Sequence, residues 1–108
     1  MAEKSFPSGL ELLVLLSIPY LGDAAYGIEI RKTINDYTER NISLGATYKT
    51  LAGLTRRGLI SASVGDPTPE RGGRAKTFYR LTGHGEQALR DYERWWVRLK
   101  GKPIDATA

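Results

Sequence analysis

The apolar pattern of this chain changes period once, at Gly58, and that change limits the possible folds more than any other feature. Before it, Leu44, Tyr48, Leu51 and Leu54 recur at three- and four-residue spacing, as on one face of a helix. After it, Leu59-Ile60-Ser61-Ala62-Ser63-Val64 reads with a period of two, and Lys76-Thr77-Phe78-Tyr79-Arg80-Leu81 is its natural partner strand. Gly58 suits the residue just past a helix, where the chain turns through positive φ. Gly65 to Ala75, with two prolines and the pair Gly72-Gly73, reads as a long hairpin loop.

Helical signals flank this hairpin. Ser8 with Glu11 three residues later has the form of a capping box, opening a helix over 9–20 that is apolar nearly all round and stopped by Pro19 and Gly22. A second helix is expected over 24–37, capped by Asp23. Ile28, Ile30, Ile34 and Tyr37 form its inward stripe, and Glu29, Arg31, Lys32 and Asp36 face water. Asn41 breaks the chain and Ser43 caps a third helix over 44–57. Thr82 caps a fourth over 83–99, stopped by Gly101 and Pro103. The expected class is mainly α with a small β-hairpin (α+β): a winged helix-turn-helix over 8–82, in which the third helix fits a major groove and the hairpin loop is the wing. A long C-terminal helix over 83–100 and a disordered tail over 101–108 follow.

Charge sharpens this reading. The formal net charge of the 108 residues is +4, but it is unevenly placed. Residues 40–80 hold eight cations (Arg40, Lys49, Arg56, Arg57, Arg71, Arg74, Lys76, Arg80) against Asp66 and Glu70, a local +6, which leaves −2 for the remainder. Positive charge gathered in one contiguous third is the footprint of a polyanion-binding surface, although a solvated basic face has the same composition. The chain has no cysteine and one histidine, His84, so disulfides, thiolate metal sites and Cys nucleophiles are excluded, and no cofactor is implied. His84 lies between two glycines at a helix start, with no pattern of catalytic partners. The apolar run Leu10–Leu21 contains Glu11 and is shorter than the ~20 residues of a membrane span. It also makes a poor leader peptide, so no membrane partner and a cytoplasmic location are expected.

Three stretches in order and spacing resemble the PadR family of bacterial transcriptional regulators, over about Leu10 to Leu89. Ala25-Tyr26-Gly27-Ile28-Glu29-Ile30 is similar to the family's helix-two signature, with Ile28 where a Tyr is usual. Ser43-Leu44-Gly45-Ala46-Thr47-Tyr48-Lys49-Thr50-Leu51, continuing to Gly58-Leu59-Ile60, resembles its recognition helix. There Thr47 replaces a large apolar residue and Lys49 a proline. Gly72-Gly73-Arg74 through Thr82, then Gly85 and Leu89, is similar to the wing and its exit. The resemblance implies a homodimeric DNA-binding regulator, and the single final helix implies the short subfamily. In that subfamily the helix forms the dimer and often borders an effector pocket.

Candidate double-stranded-DNA contacts are Ser43, Ala46, Thr47, Tyr48, Lys49 and Thr50 on the third helix. Arg71, Gly72, Gly73, Arg74 and Lys76 are their counterparts on the wing. Small residues let the backbone approach a groove, lysine neutralises phosphate or reaches a base edge, and hydroxyls do either. Guanidinium groups on a short tip suit a narrow minor groove or its flanking phosphates. Tyr48 has a second reading as plain core, and Arg56 and Arg57 also suit the dipole at the helix end. On the fourth helix Leu89, Tyr92, Trp96 and Leu99 form a heptad-like seam widened by Trp95, a stripe that a second copy would cover. Glu86 and Arg90 are spaced as a helical ion pair. Trp95 and Trp96, paired across a two-fold axis, would make a slot for a planar aromatic small molecule, unless they serve packing alone. Two other classes stay open: a winged-helix protein-interaction module without DNA binding, and a dimer that sequesters small molecules.

Overall fold

The computed structural model of the chain describes residues 7–65 and 76–101. Helix α1 (Gly9–Leu21) is followed by a 3-10 turn (Gly22–Ala24), α2 (Gly27–Thr38), α3 (Leu44–Arg56), strands β1 (Ile60–Val64) and β2 (Thr77–Leu81), and α4 (Gly83–Leu99). The element order and the mainly helical class with one hairpin are as expected from the sequence. The expected wing-tip residues Arg71, Gly72, Gly73 and Arg74 lie outside the described residues, as does the expected tail beyond Gly101.

The ends of these elements follow from local chemistry. Glu11 Oε1 accepts the Ser8 amide at 2.8 Å and so completes its half of the capping box on α1. Pro19 does not end α1; it forfeits one intrahelical donor, and the chain leaves the helix only at Gly22, with φ 59°. Helix α3 closes in a Schellman motif. The Gly58 amide reaches the Thr55 carbonyl, the Leu59 amide reaches that of Leu54 (3.0 Å each), and Gly58 takes φ 76°. Thr82 Oγ1 accepts the Gly85 amide at 3.1 Å and donates to the Gly58 carbonyl at 2.6 Å, so the start of α4 is fastened to the end of α3.

Helix α2 departs from expectation. Asp23 does not cap it. Ala25 and an extended Tyr26 instead lie beside β2: the Tyr79 amide donates to the Ala25 carbonyl at 2.9 Å and Tyr26 bridges Phe78. The helix therefore starts at Gly27, and its buried face is Gly27, Ile30 and Ile34. Ile28 and Tyr37, expected inward, are 54% and 70% exposed. The expected Glu86–Arg90 pair is also replaced: Arg90 turns to the Gln87 side-chain carbonyl at 3.3 Å.

The core lies where α1, α2 and α3 meet the base of the hairpin, and is made of Val14, Leu15, Ile18, Ala25, Ile30, Ile34, Leu51, Leu54, Ile60 and Tyr79. The hairpin is antiparallel, with Ile60 opposite Leu81 and Ala62 opposite Tyr79. Two polar side chains are buried with it, and both bond back along their own helices: Ser17 to Leu13 O at 2.8 Å and Thr47 to Ser43 O at 3.0 Å. No buried side-chain nitrogen or oxygen among the described residues lacks a partner.

Candidate nucleic-acid interface

The turn between α2 and α3 is tied by side chains from α2. Asn35 Oδ1 accepts the Ile42 amide at 2.8 Å, while Asn35 Nδ2 and Arg31 Nε donate to the Ile42 carbonyl at 3.1 and 2.8 Å. Three hydrogen bonds thus hold both polar groups of one backbone unit just before α3 begins. Glu39, at the end of α2, supplies the reversal with φ 56°. The clamp fixes the turn, and the packing of Ile30 and Ile34 with Leu51 and Leu54 joins the two helices beyond it. Arg31, expected to face water, is one of its members.

Ser43 caps α3, its Oγ accepting the Ala46 amide at 3.0 Å. With Leu51 and Leu54 committed to the core, the opposite face is set by geometry: Gly45, Tyr48, Lys49, Ala52 and Arg56 form one exposed stripe. Thr47 corrects the sequence reading. It is 0% exposed and its hydroxyl is consumed by Ser43 O, so it packs the core and is unable to touch DNA. Thr50 is half-buried and bonds Ala46 O at 2.9 Å, which leaves Lys49 as the forward polar reach of the helix. Ala52, absent from the candidates read from sequence, sits on the stripe three residues after Lys49. The helical period alone, counted from Gly45, reaches it.

Tyr48 combines its two readings. It is 43% exposed, yet its ring lies against the α2 backbone: a Cβ at Gly27 would come within 2.5 Å of three ring and hydroxyl atoms. The bare Gly27 lets the end of the Tyr48 ring lie in this place, and a Cβ there would push the ring aside. The phenol of Tyr79 is held above its ordinary value by burial and by the neighbouring Tyr48. Helix α3, the start of α2 and β2 therefore meet at one aromatic junction.

The charges of the basic third divide into two groups. Arg57 turns away from the α3 stripe to Glu11 on α1 at 2.8 Å, and Arg80 lies 3.7 Å from Asp23. Partial burial pushes the Glu11 carboxyl up. The Ser8 amide and Arg57 outweigh that effect and hold it below its ordinary 4.5. Arg40, Lys49, Arg56 and Lys76 are exposed and stand outside the three ion pairs of the described residues. Lys76, at the loop end of the hairpin just before β2, lies with Nζ 4.4 Å from the centroid of the Tyr26 ring.

Helix α4 offers a different surface. Leu89 packs against the chain's own core and Tyr92 is half-buried, whereas Trp95, Trp96, Val97 and Leu99 are exposed. Lys100 Nζ lies 5.8 Å from the Trp96 ring. Two cavities of the single chain, of about 220 and 280 Å³, lie between the 3-10 turn and the hairpin and between α1 and α2. Neither is lined by Trp95 or Trp96. No helix among the described residues is long and apolar enough to cross a membrane.

Comparison with known proteins agrees with this geometry. The family model for the PadR-like transcriptional regulators matches residues 15–91. Among solved structures, a PadR family regulator from Clostridium difficile is 27% identical with a TM-score of 0.66, over 82% of this chain and 91% of that one. One from Eggerthella lenta is 27% identical at TM-score 0.63, over 85% and 81% of the two chains. A PadR-like regulator from Bacillus cereus, 22% identical over 85% and 84%, shares the fold at TM-score 0.69. No curated protein sequence matches the chain. The winged helix-turn-helix with its final long helix, matched over these residues, makes the chain a member of the PadR-like family of transcriptional regulators.

Proposed function

We propose that the chain is a homodimeric repressor that grips double-stranded DNA with α3 in the major groove and the hairpin against the flanking backbone. The observation that carries this is the α3 stripe. Small Gly45 and Ala52 flank Lys49, with Arg56 one turn further on, all exposed, on a helix whose start is tied to α2 by the Ile42 clamp. Phosphate contacts from Lys49, Arg56 and Lys76 give affinity, and Ser43, Ala46, Tyr48, Lys49 and Thr50 stand at the groove-entering end. Arg71, Gly72, Gly73 and Arg74 extend the grip as the wing.

The dimer forms through α4, where Tyr92, Trp95, Trp96 and Leu99, with the free part of Leu89, meet their two-fold mates. Such an axis calls for a pseudo-palindromic operator with recognition helices about 34 Å apart or a multiple of it. The exposed indoles favour a second element of the reading. A planar aromatic molecule stacked between Trp95 and Trp96 of the two chains changes the angle between the winged domains and releases DNA. The protein acts in the cytoplasm.

The test is a titration of a duplex from the chain's own upstream region, against a random duplex, across a salt series. Tighter binding to the former, with log affinity falling linearly in log salt, is expected. No binding to any duplex at low salt would leave the protein-interaction or ligand-sequestering alternatives in its place.

A further inference from the structure

We infer that Tyr26 is a positioning residue for DNA binding: its ring face holds the Lys76 ammonium at the loop end of the hairpin. The inference rests on the DNA-binding reading and deepens it. Nζ of Lys76 at 4.4 Å from the ring centroid is well inside the range in which the ring quadrupole attracts a cation.

The ring is itself held. Phe78 meets it edge-to-face, centroids 5.5 Å apart at 79°. The Tyr26 backbone bridges Phe78, and its carbonyl accepts the Ile30 amide at 2.9 Å as the first bond of α2. The backbone of Lys76 is anchored too, since its carbonyl accepts the Gly65 amide across the hairpin at 2.7 Å. A lysine otherwise samples many rotamers and loses that freedom when it pairs with phosphate. Holding the ammonium over a fixed ring removes part of the cost before DNA arrives.

The neighbouring residue makes the placement specific. Gly27 is the seat of the Tyr48 ring, so the dipeptide Tyr26-Gly27 touches both the loop end of the hairpin and the recognition helix. Moving either partner alters the spacing between the groove-reading element and the phosphate-gripping one. Fold stability alone requires an apolar side chain at position 26, whereas positioning requires an aromatic face.

The experiment compares Tyr26→Leu, Tyr26→Phe, Lys76→Gln and the Tyr26→Leu/Lys76→Gln pair in the full chain, titrated with a random-sequence duplex across salt. Tyr26→Phe should bind as the wild type does. Tyr26→Leu should weaken binding by about two- to five-fold, and in the Lys76→Gln background it should add nothing. An equal loss with and without Lys76, or no loss in either, overturns the inference while leaving the DNA-binding reading intact. Absence of wild-type binding to any duplex overturns both. Should Tyr26→Leu fail to fold, NMR of the free wild-type chain decides. Ring-current upfield shifts of the Lys76 side-chain protons are expected, and random-coil shifts overturn the inference.

Discussion

Helices α3 and α4 begin alike and end unlike. Ser43 and Thr82 cap them with the same bond, a hydroxyl accepting the amide three residues on, at 3.0 and 3.1 Å. Thereafter α3 sends Thr47, Leu51 and Leu54 into the core and closes on Gly58, leaving outward a stripe of small and basic residues. Among the described residues, α4 meets the core through its first half, at Gly85 and Leu89. Past Tyr92 its apolar residues face solvent, with Trp96 48% and Leu99 88% exposed. A helix whose apolar face is satisfied within the chain has its polar face free for a charged ligand. One whose apolar face is left open asks for an apolar partner. The two functions proposed for this chain, gripping DNA and pairing with itself, divide along that line.

The comparison is broken most severely at the joint between the two helices. Gly85 faces the Leu59 carbonyl, and a Cβ there would overlap backbone that has nowhere to go. Gly85→Ala should cost about 3 kcal/mol, the upper end for overpacking, and lower Tm by more than ~10 °C in a thermal melt. Trp96→Ala comes next and acts on association rather than folding. Loss of a central indole at about 2 kcal/mol raises the dimer dissociation constant about thirty-fold in sedimentation experiments, with the Tm of dilute protein little changed. Asn35→Ala removes the side chain that bonds both polar groups of Ile42. A loss of about 1–2 kcal/mol is expected, with weakened DNA binding beyond what unfolding explains, because the turn before α3 loses its clamp.

The smallest effect concerns Glu11 and Arg57, which tie α1 to the end of α3. The Glu11 carboxyl lies below its ordinary value in the folded chain, so the stability it adds is present above that ordinary value. It is lost as pH falls through the lower folded one. The pair is partly exposed, and less than about 1 kcal/mol is expected. Glu11→Gln should melt slightly below the wild type near neutral pH, and the two curves should converge in acid.

How far the sequence spoke follows the same physics. Caps and stops are local, and Ser8, Ser43, Gly58 and Thr82 announced four element boundaries by the bonds their residue types make. The face of α2 was misread because Gly27 carries no hydropathy. The core takes that position through the ring of Tyr48, and a count of large apolar residues drew in Ile28 and Tyr37 instead. Thr47 was misplaced for a related reason. A threonine that bonds back to its own helix packs as a nearly apolar residue, and no pattern marks which ones do so. The turning away of Arg57 to Glu11 and of Arg80 to Asp23 joins residues distant in sequence, so charge counting overstated the basic surface of the third that contains them.

The central claim is that the outer stripe of α3 holds DNA through charge that the fold leaves unpaired. Its direct test is the salt dependence of duplex affinity for Lys49→Ala against the wild type. Weaker binding to every sequence is expected, with the log–log salt slope reduced by about one and Tm unchanged. An unaltered affinity and slope in a folded Lys49→Ala chain would contradict the claim.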